Sequence, residues 1–367
     1  MVFANHKIKL MSVHFYKLKV KDIRKETNDC VSISFDISDD LKEVFKFQQG
    51  QHITVKSIIN NDEVRRNYSL CTSPKDNDFR IAVKQVDGGM FSNFANNILQ
   101  IGDELELMPP IGKFNTALHL TQNKKYVAFA AGSGITPIIS IIKTVLQEEP
   151  KSEIILVYGN KSTSSIIFKE ELEALKNKFI GRIQLIHILS REKTESPINY
   201  GRIDKDKLNQ LSKLINWKNT DEFFLCGPEE MIITTKDFLE SNEIDRKKIH
   251  FELFNAKQKK RVVTISQKEN KKAKSIVSII SDGRTFNVEI GFDEDKSILD
   301  AALNVVADLP FACRGGVCCT CKAKLLEGKV EMDVNWGLEQ EEIEQGYILT
   351  CQSHPTTEKV VVDFDVK

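Results

Sequence analysis

No run of apolar residues in this chain approaches the eighteen or so that a membrane-spanning helix needs, and the opening stretch MVFANHKIKLM contains no apolar signal-peptide core. Both absences predict a soluble, cytoplasmic protein. None of the seven histidines has a glutamate three residues before it, so the ExxH of carboxylate di-iron sites is missing. A glycine turn near residue 132 is not GxGxxG, so the standard dinucleotide fingerprint is absent as well. There is no internal repeat, and the only low-complexity segment is one basic stretch. The eight cysteines are too few and too scattered for a disulfide scaffold in 367 residues, which argues for a reducing compartment. That length and a hydrophobic content of 41% predict two or three domains.

What is present is most specific near the C-terminus. Cys313, Cys318, Cys321 and, after a long gap, Cys351 fall in CRGGVCCTC...TC, the spacing that holds a plant-type [2Fe-2S] cluster. Gly315 and Gly316 let the loop turn tightly and aim N–H groups at sulfur. Such a cluster moves single electrons. The competing reading is a structural zinc site in a non-catalytic interaction module, although only Cys318 and Cys321 form a CxxC pair. Cys319 breaks no spacing and reads as a small loop residue vulnerable to oxidation.

Charge is balanced overall, 52 basic against 52 acidic residues, but unevenly distributed. Residues 275–367 hold 8 basic and 17 acidic residues, whereas AKQKKRVVTISQKENKKAK, residues 256–274, holds eight basic and one acidic. The run is either a solvated linker or a tether that draws the acidic domain to its own reductase or to an acidic partner. It has no aromatic residue to stack on a base, which disfavours nucleic-acid binding.

Three modules follow from the periodicity. Residues 12–117 show alternating segments (VSISFDI, HITVKSI, RIAVKQV, ELELMPP) as in a small antiparallel β-barrel. Residues 118–255 alternate strand and helix, which predicts an α/β domain with a parallel sheet. After the basic linker 256–274, residues 275–367 begin with two strands joined at Asp282-Gly283, followed by a helix from Ser297 through Val306 capped by Ser297. Residues 1–11 are expected to be a disordered extension or to precede the true start at Met11.

Arg66 and Tyr68 point the same way on a barrel strand, where the aromatic suits a flavin ring, the adjacent Ser69 its N5, and the arginine a pyrophosphate. Gly88-Gly89-Met90-Phe91-Ser92 precedes a helix whose free N–H groups could meet a phosphate. Gly132, Ser133, Gly134, Ile135, Thr136 and Pro137 link an apolar strand to a helix, where an α/β sheet opens its crevice. Ser190 and Arg191 end another strand, and an arginine there favours a 2′-phosphate, hence NADPH over NADH. Cys226-Gly227-Pro228 ends a further strand, where Cys226 could approach a nicotinamide or simply be a small buried cysteine.

Taken together, RNYSL, GGMFSNF, AAGSGITP, LCGPEEM and CRGGVCCTC...YILTCQS resemble the ferredoxin-NADP reductase family with a plant-type ferredoxin fused behind it. SILDAAL, ADLPFACRGGVC, EGKVEMDVNW, LTCQSHP and VVVDFD are most similar to the reductase components serving bacterial phenylacetyl-CoA epoxidases. The resemblance implies a multi-domain chain with a β-grasp ferredoxin domain. It implies FAD on Arg66, Tyr68, Ser69 and Gly89 to Ser92, NADPH on Gly132 to Pro137 and Cys226 to Pro228, and Glu252 and Phe254 near the flavin. Ser69, Cys226 and Glu252 become the expected catalytic residues, and di-iron oxygenase subunits the expected electron acceptor. The nearest rival within the family is an FMN- and NADH-using reductase of an aromatic-ring dioxygenase.

Overall fold

The computed structural model describes residues 14–254, 274–306 and 309–366. The expectations for residues 1–11 and for the basic run therefore lie outside the described residues, apart from Lys274. The chain forms two compact units, one of them Phe15–Phe254 and the other C-terminal.

In the first unit, β1 (Tyr16–Thr27), β2 (Cys30–Asp36), β3 (His52–Ile59), β4 (Asp62–Ser69), β5 (Phe79–Lys84) and β6 (Glu104–Leu107) form an antiparallel sheet, with α1 (Met90–Asn97) between β5 and β6. The strand order is β4-β3-β6-β1-β2-β5, and a bridge between Leu70 and Ile81 joins the ends into a barrel. Alternation explains the filling: Ile33, Ile53, Val55, Ile81 and Leu107 point inward and are fully buried. Asn60 and Asn61, both at positive φ, make the two-residue β3–β4 turn that sets the register of Ser69 against His52.

The α/β half runs β7 (Lys125–Ala131), α2 (Ile135–Glu148), β8 (Glu153–Asn160), α3 (Lys169–Lys178), β9 (Ile183–Leu189), α4 (Lys205–Leu211), β10 (Glu222–Cys226), α5 (Glu229–Ser241) and β11 (Ile249–Glu252). All pairings are parallel in the order β11-β10-β7-β8-β9. Barrel and sheet are locked together. Ser140 of α2 donates to the Thr72 carbonyl (2.7 Å), and Lys143 Nζ lies 2.5 Å from Asp76 and 2.8 Å from Glu171. A Cβ on Gly50, at φ +77°, would stand 1.9 Å from the Phe114 carbonyl oxygen, so only glycine permits this approach.

The C-terminal unit contains β12 (Lys274–Ser281), β13 (Arg284–Gly291), α6 (Ile298–Ala302), β14 (Lys322–Glu327), β15 (Val330–Met332), α7 (Gln340–Glu344), β16 (Tyr347–Leu349), β17 (Ser353–Pro355) and β18 (Lys359–Asp363). Its main sheet, β13-β12-β18-β14-β16, is mixed, with β12 and β18 parallel, and β15 pairs with β17 separately. Asp282 and Gly283 both take positive φ in the expected hairpin turn. Ser297 accepts from the Asp300 N–H (3.1 Å) as a cap. The helix ends at Ala302 rather than Val306, because Asn304 and the β-branched Val305 and Val306 are poor helix formers. No helix among the described residues is long and apolar enough to cross a membrane.

Candidate electron-transfer sites

The barrel strand β4 carries Arg66 exposed and Tyr68 half-buried. Tyr68 rests on Phe91 of α1, with ring centroids 5.4 Å apart and planes at 39°. Burial pushes the Tyr68 hydroxyl pKa up, against the opposing pull of Arg66, so it stays neutral. Arg66 Nη1 donates to the Arg65 carbonyl (2.7 Å), which anchors one arm of the guanidinium fork at the surface. α1 starts at Gly89 with no side chain capping it, leaving the first N–H groups of Met90, Phe91 and Ser92 suited to an anion. Ser92 Oγ is itself occupied by the Val86 N–H (3.1 Å).

At the end of β4 the barrel meets the parallel sheet. Ser69 Oγ donates to Glu252 Oε2 (3.3 Å), bringing together two residues 183 positions apart. Glu252 pairs in register with Cys226 across β10–β11. Cys226 is fully buried, and its thiol pKa is raised by burial and further by Glu252, so it is a neutral wall. Phe254 packs against the core of this half. His52, cross-strand from Ser69, carries no sequence signal of a functional role, because HITVKSI reads only as a strand. Its Nδ1 lies 3.5 Å from Glu252 Oε1. Only the register brings it to the site.

The glycine turn behaves as a close-approach device. Gly132, at φ +53°, begins a short 3-10 turn, and its carbonyl accepts from the Tyr158 hydroxyl (2.9 Å). A Cβ on Gly134 would stand 2.1 Å from the Cys226 carbonyl oxygen and 2.8 Å from Gly227 N. A Cβ on Gly227 would meet Ala131 at 3.1 Å. The carboxyl ends of β7 and β10 are thus pressed together, with Pro228 opening α5. Ile135, Thr136 and Pro137 are buried, so this turn offers a ligand backbone and the half-exposed Gly132 and Ser133 rather than six side chains. Ser190 donates twice to the Asn160 carbonyl, from N (2.9 Å) and Oγ (3.3 Å), and Arg191 N donates to Lys161 (2.8 Å). The Arg191 side chain is left exposed beside them. Asn160 Nδ2 is buried near the Tyr158 hydroxyl, a donor that nothing in the strand pattern of β8 announces.

The C-terminal unit gathers four sulfurs. Cys318 Sγ donates to Cys313 Sγ (3.1 Å), and the Cys351 thiol lies close enough to Cys313 and Cys321 to perturb both. The Cys318 and Cys351 thiols, then the N–H groups of Gly315 and Val317, hold Cys313 well below the ordinary thiol range. Cys351 lowers Cys321 in the same way, while Cys318 and Cys351 are raised as the donors. A four-thiol set with N–H groups directed at sulfur fits an iron–sulfur cluster. The loop is held from outside: a Cβ on Gly316, at φ +71°, would stand 2.7 Å from the Val334 carbonyl oxygen. A Cβ on Gly337 would stand 2.5 Å from that of Cys318. Gly315 N donates to Cys313 Sγ (3.3 Å), but the left-handed residue before it is Arg314, not Gly315. Cys319 is pushed up to about 11 by burial and supplies no thiolate. Cys319→Ser is expected to leave the visible cluster spectrum intact, and loss of that spectrum on purification would make Cys319 a ligand.

Comparison with known proteins agrees with this order of parts. Residues 17–116 match the oxidoreductase FAD-binding domain, 129–237 the oxidoreductase NAD-binding domain, and 279–356 the 2Fe-2S iron-sulfur cluster binding domain. The chain is 43% identical to the E component of the 1,2-phenylacetyl-CoA epoxidase of Escherichia coli (strain K12), over 96% of this chain and 98% of that one. It is 33% identical to the ferredoxin reductase component of 3-ketosteroid-9-alpha-monooxygenase from Rhodococcus rhodochrous, over 95% and 96%. The solved structure of phthalate dioxygenase reductase superposes with a TM-score of 0.57 at 22% identity, covering 95% of this chain and 98% of that one, which shows a shared fold. The chain is an FAD- and NAD-binding, [2Fe-2S] oxidoreductase and belongs to the family of oxygenase reductase components that includes the E component of phenylacetyl-CoA epoxidase.

Proposed function

We propose that this chain carries electrons from NADPH through FAD and the [2Fe-2S] cluster to a di-iron oxygenase, the phenylacetyl-CoA 1,2-epoxidase of phenylacetate degradation, in the cytoplasm. The observation that carries this reading is the near end-to-end 43% identity to the E component of that epoxidase. Lack of ExxH in this chain agrees with oxygen chemistry residing on other subunits. The reading divides the chain into a flavin domain at 12–117, a nucleotide domain at 118–255, a linker at 256–274 and a ferredoxin domain at 275–367.

When bound, the flavin converts a two-electron hydride into single-electron steps that the cluster can accept. The chain's own residues do the rest. Tyr68 and the α1 N-terminus seat the flavin, and Arg66 takes its pyrophosphate. Ser69, braced by Glu252, presents its hydroxyl toward N5, and the buried Cys226 thiol bounds the nicotinamide pocket and keeps water out. Gly132 to Pro137 with Cys226 to Pro228 seat the nicotinamide nucleotide, Ser190 and Arg191 its 2′-phosphate. Cys313, Cys318, Cys321 and Cys351 ligate the cluster.

Mixing the purified chain with the oxygenase components of the epoxidase, NADPH and phenylacetyl-CoA should couple NADPH oxidation to epoxide formation. Release of FMN rather than FAD, with NADH outcompeting NADPH, would instead favour the dioxygenase reductase. For Arg191→Ala the expected result is a rise in KM for NADPH of about tenfold or more, with KM for NADH little changed. That is the ~1.5–3 kcal/mol of a lost charged hydrogen bond. Equal changes for both nucleotides would remove the case for NADPH.

A further inference from the structure

His52 is the one buried histidine that the site's geometry captures and the reading above leaves unused. Its ring is 8% exposed and Glu252 15% exposed, and neither ring nitrogen has a hydrogen-bond partner among the described residues. Backbone constraints hold it there. His52 exchanges both hydrogen bonds with Ile111 (2.9 Å each), and Gly112 packs close against the ring, where a Cβ would stand 3.0 Å from Nδ1. Nδ1 faces Glu252 Oε1 at 3.5 Å, while Ser69 donates to Oε2 of the same carboxylate. A buried imidazole needs a partner, and the half-buried Glu252 carboxylate offers Oε1 as an acceptor facing Nδ1.

We propose that His52 is the positioning residue of Glu252, its Nδ1–H holding the carboxylate so that Oε2 receives the Ser69 hydroxyl hydrogen. The inference rests on the placement of Ser69 at the flavin's N5. With its hydrogen committed to Glu252, Ser69 can offer only lone pairs on its other side. A hydroxyl fixed as an acceptor favours a ligand atom that carries a hydrogen, which N5 does in the reduced flavin and not in the oxidised one. The His52–Glu252–Ser69 line therefore raises the flavin's midpoint potential and favours hydride arrival.

The test uses the full-length, FAD-loaded protein. His52→Asn places an amide N–H near the position of Nδ1, whereas His52→Gln places one near Nε2 and none at Nδ1. The spectroelectrochemical midpoint potential of the flavin should stay at the wild-type value in His52→Asn and fall in His52→Gln. Hydride transfer in stopped flow should slow about tenfold in His52→Gln only, the scale of one lost hydrogen bond to a charged group. A His52→Gln variant indistinguishable from wild type, or an Asn variant that behaves like Gln, overturns the proposal. Ser69→Ala separates the two levels. If it leaves potential and hydride transfer unchanged, the placement of Ser69 at N5 fails, and the proposal with it. If it lowers both while the His52 variants do not differ, only the role of His52 fails.

Discussion

Cys351→Ser is expected to remove the cluster's visible absorbance completely while NADPH-driven reduction of a dye that accepts electrons from flavin continues at close to the wild-type rate. Cys351 lies against Cys313 and Cys321 and closes the thiol set from the far end of the sequence, after β16. A serine hydroxyl is a harder and far less acidic ligand, so the cluster should be lost rather than retuned. Separability follows from the two compact units: the matched FAD-binding and NAD-binding domains, and the residues proposed for both cofactors, lie within Phe15–Phe254. Electron delivery to a one-electron protein acceptor should fall to background. Retention of that delivery would mean electrons leave from the flavin, and joint loss of dye reduction would mean the first unit depends on the second.

Gly134→Ala is expected to have an equally large effect on the entry side. Its Cβ would fall 2.1 Å from the Cys226 carbonyl oxygen, and backbone cannot yield as a side-chain tip can. The ends of β7 and β10 would have to separate at the point where both are expected to face the nicotinamide nucleotide. Overpacking of this kind costs about 1–3 kcal/mol of stability, to be seen as a lower Tm. Flavin reduction by NADPH in stopped flow should drop by about a hundredfold or more, because hydride transfer is steeply sensitive to misplacement. Reduction by dithionite should be unchanged, since that reductant does not use the nucleotide site. A normal rate with NADPH would show that the turn does not form the nucleotide site.

Much of the architecture is legible in the sequence because the period of the pattern changes along the chain. VSISFDI and RIAVKQV alternate and form β2 and β5, while YVAFAAGSGITP runs apolar into a helix and forms β7 and α2. Asp282-Gly283 announces its hairpin through turn chemistry alone. The α6 helix is shorter than its pattern predicts because apolar periodicity continues past Ala302 although propensity does not. His52 and Asn160 are not legible. Each sits in an ordinary strand pattern, and only the fold sets His52 across from Ser69 and the Asn160 carbonyl beneath Ser190.

By itself the sequence determined the cluster chemistry of this protein: cysteine spacing names a [2Fe-2S] site, and a residue's chemical type does not depend on its neighbours. It determined the order of modules for the same reason, since periodicity is local. Only the tertiary structure decided which residues act together. Ser69 and Glu252 are 183 positions apart yet share a hydrogen bond, and Gly134 is glycine because Cys226 is there. Strand register and the packing of barrel on sheet create those contacts, and both are long-range properties that no window of sequence contains.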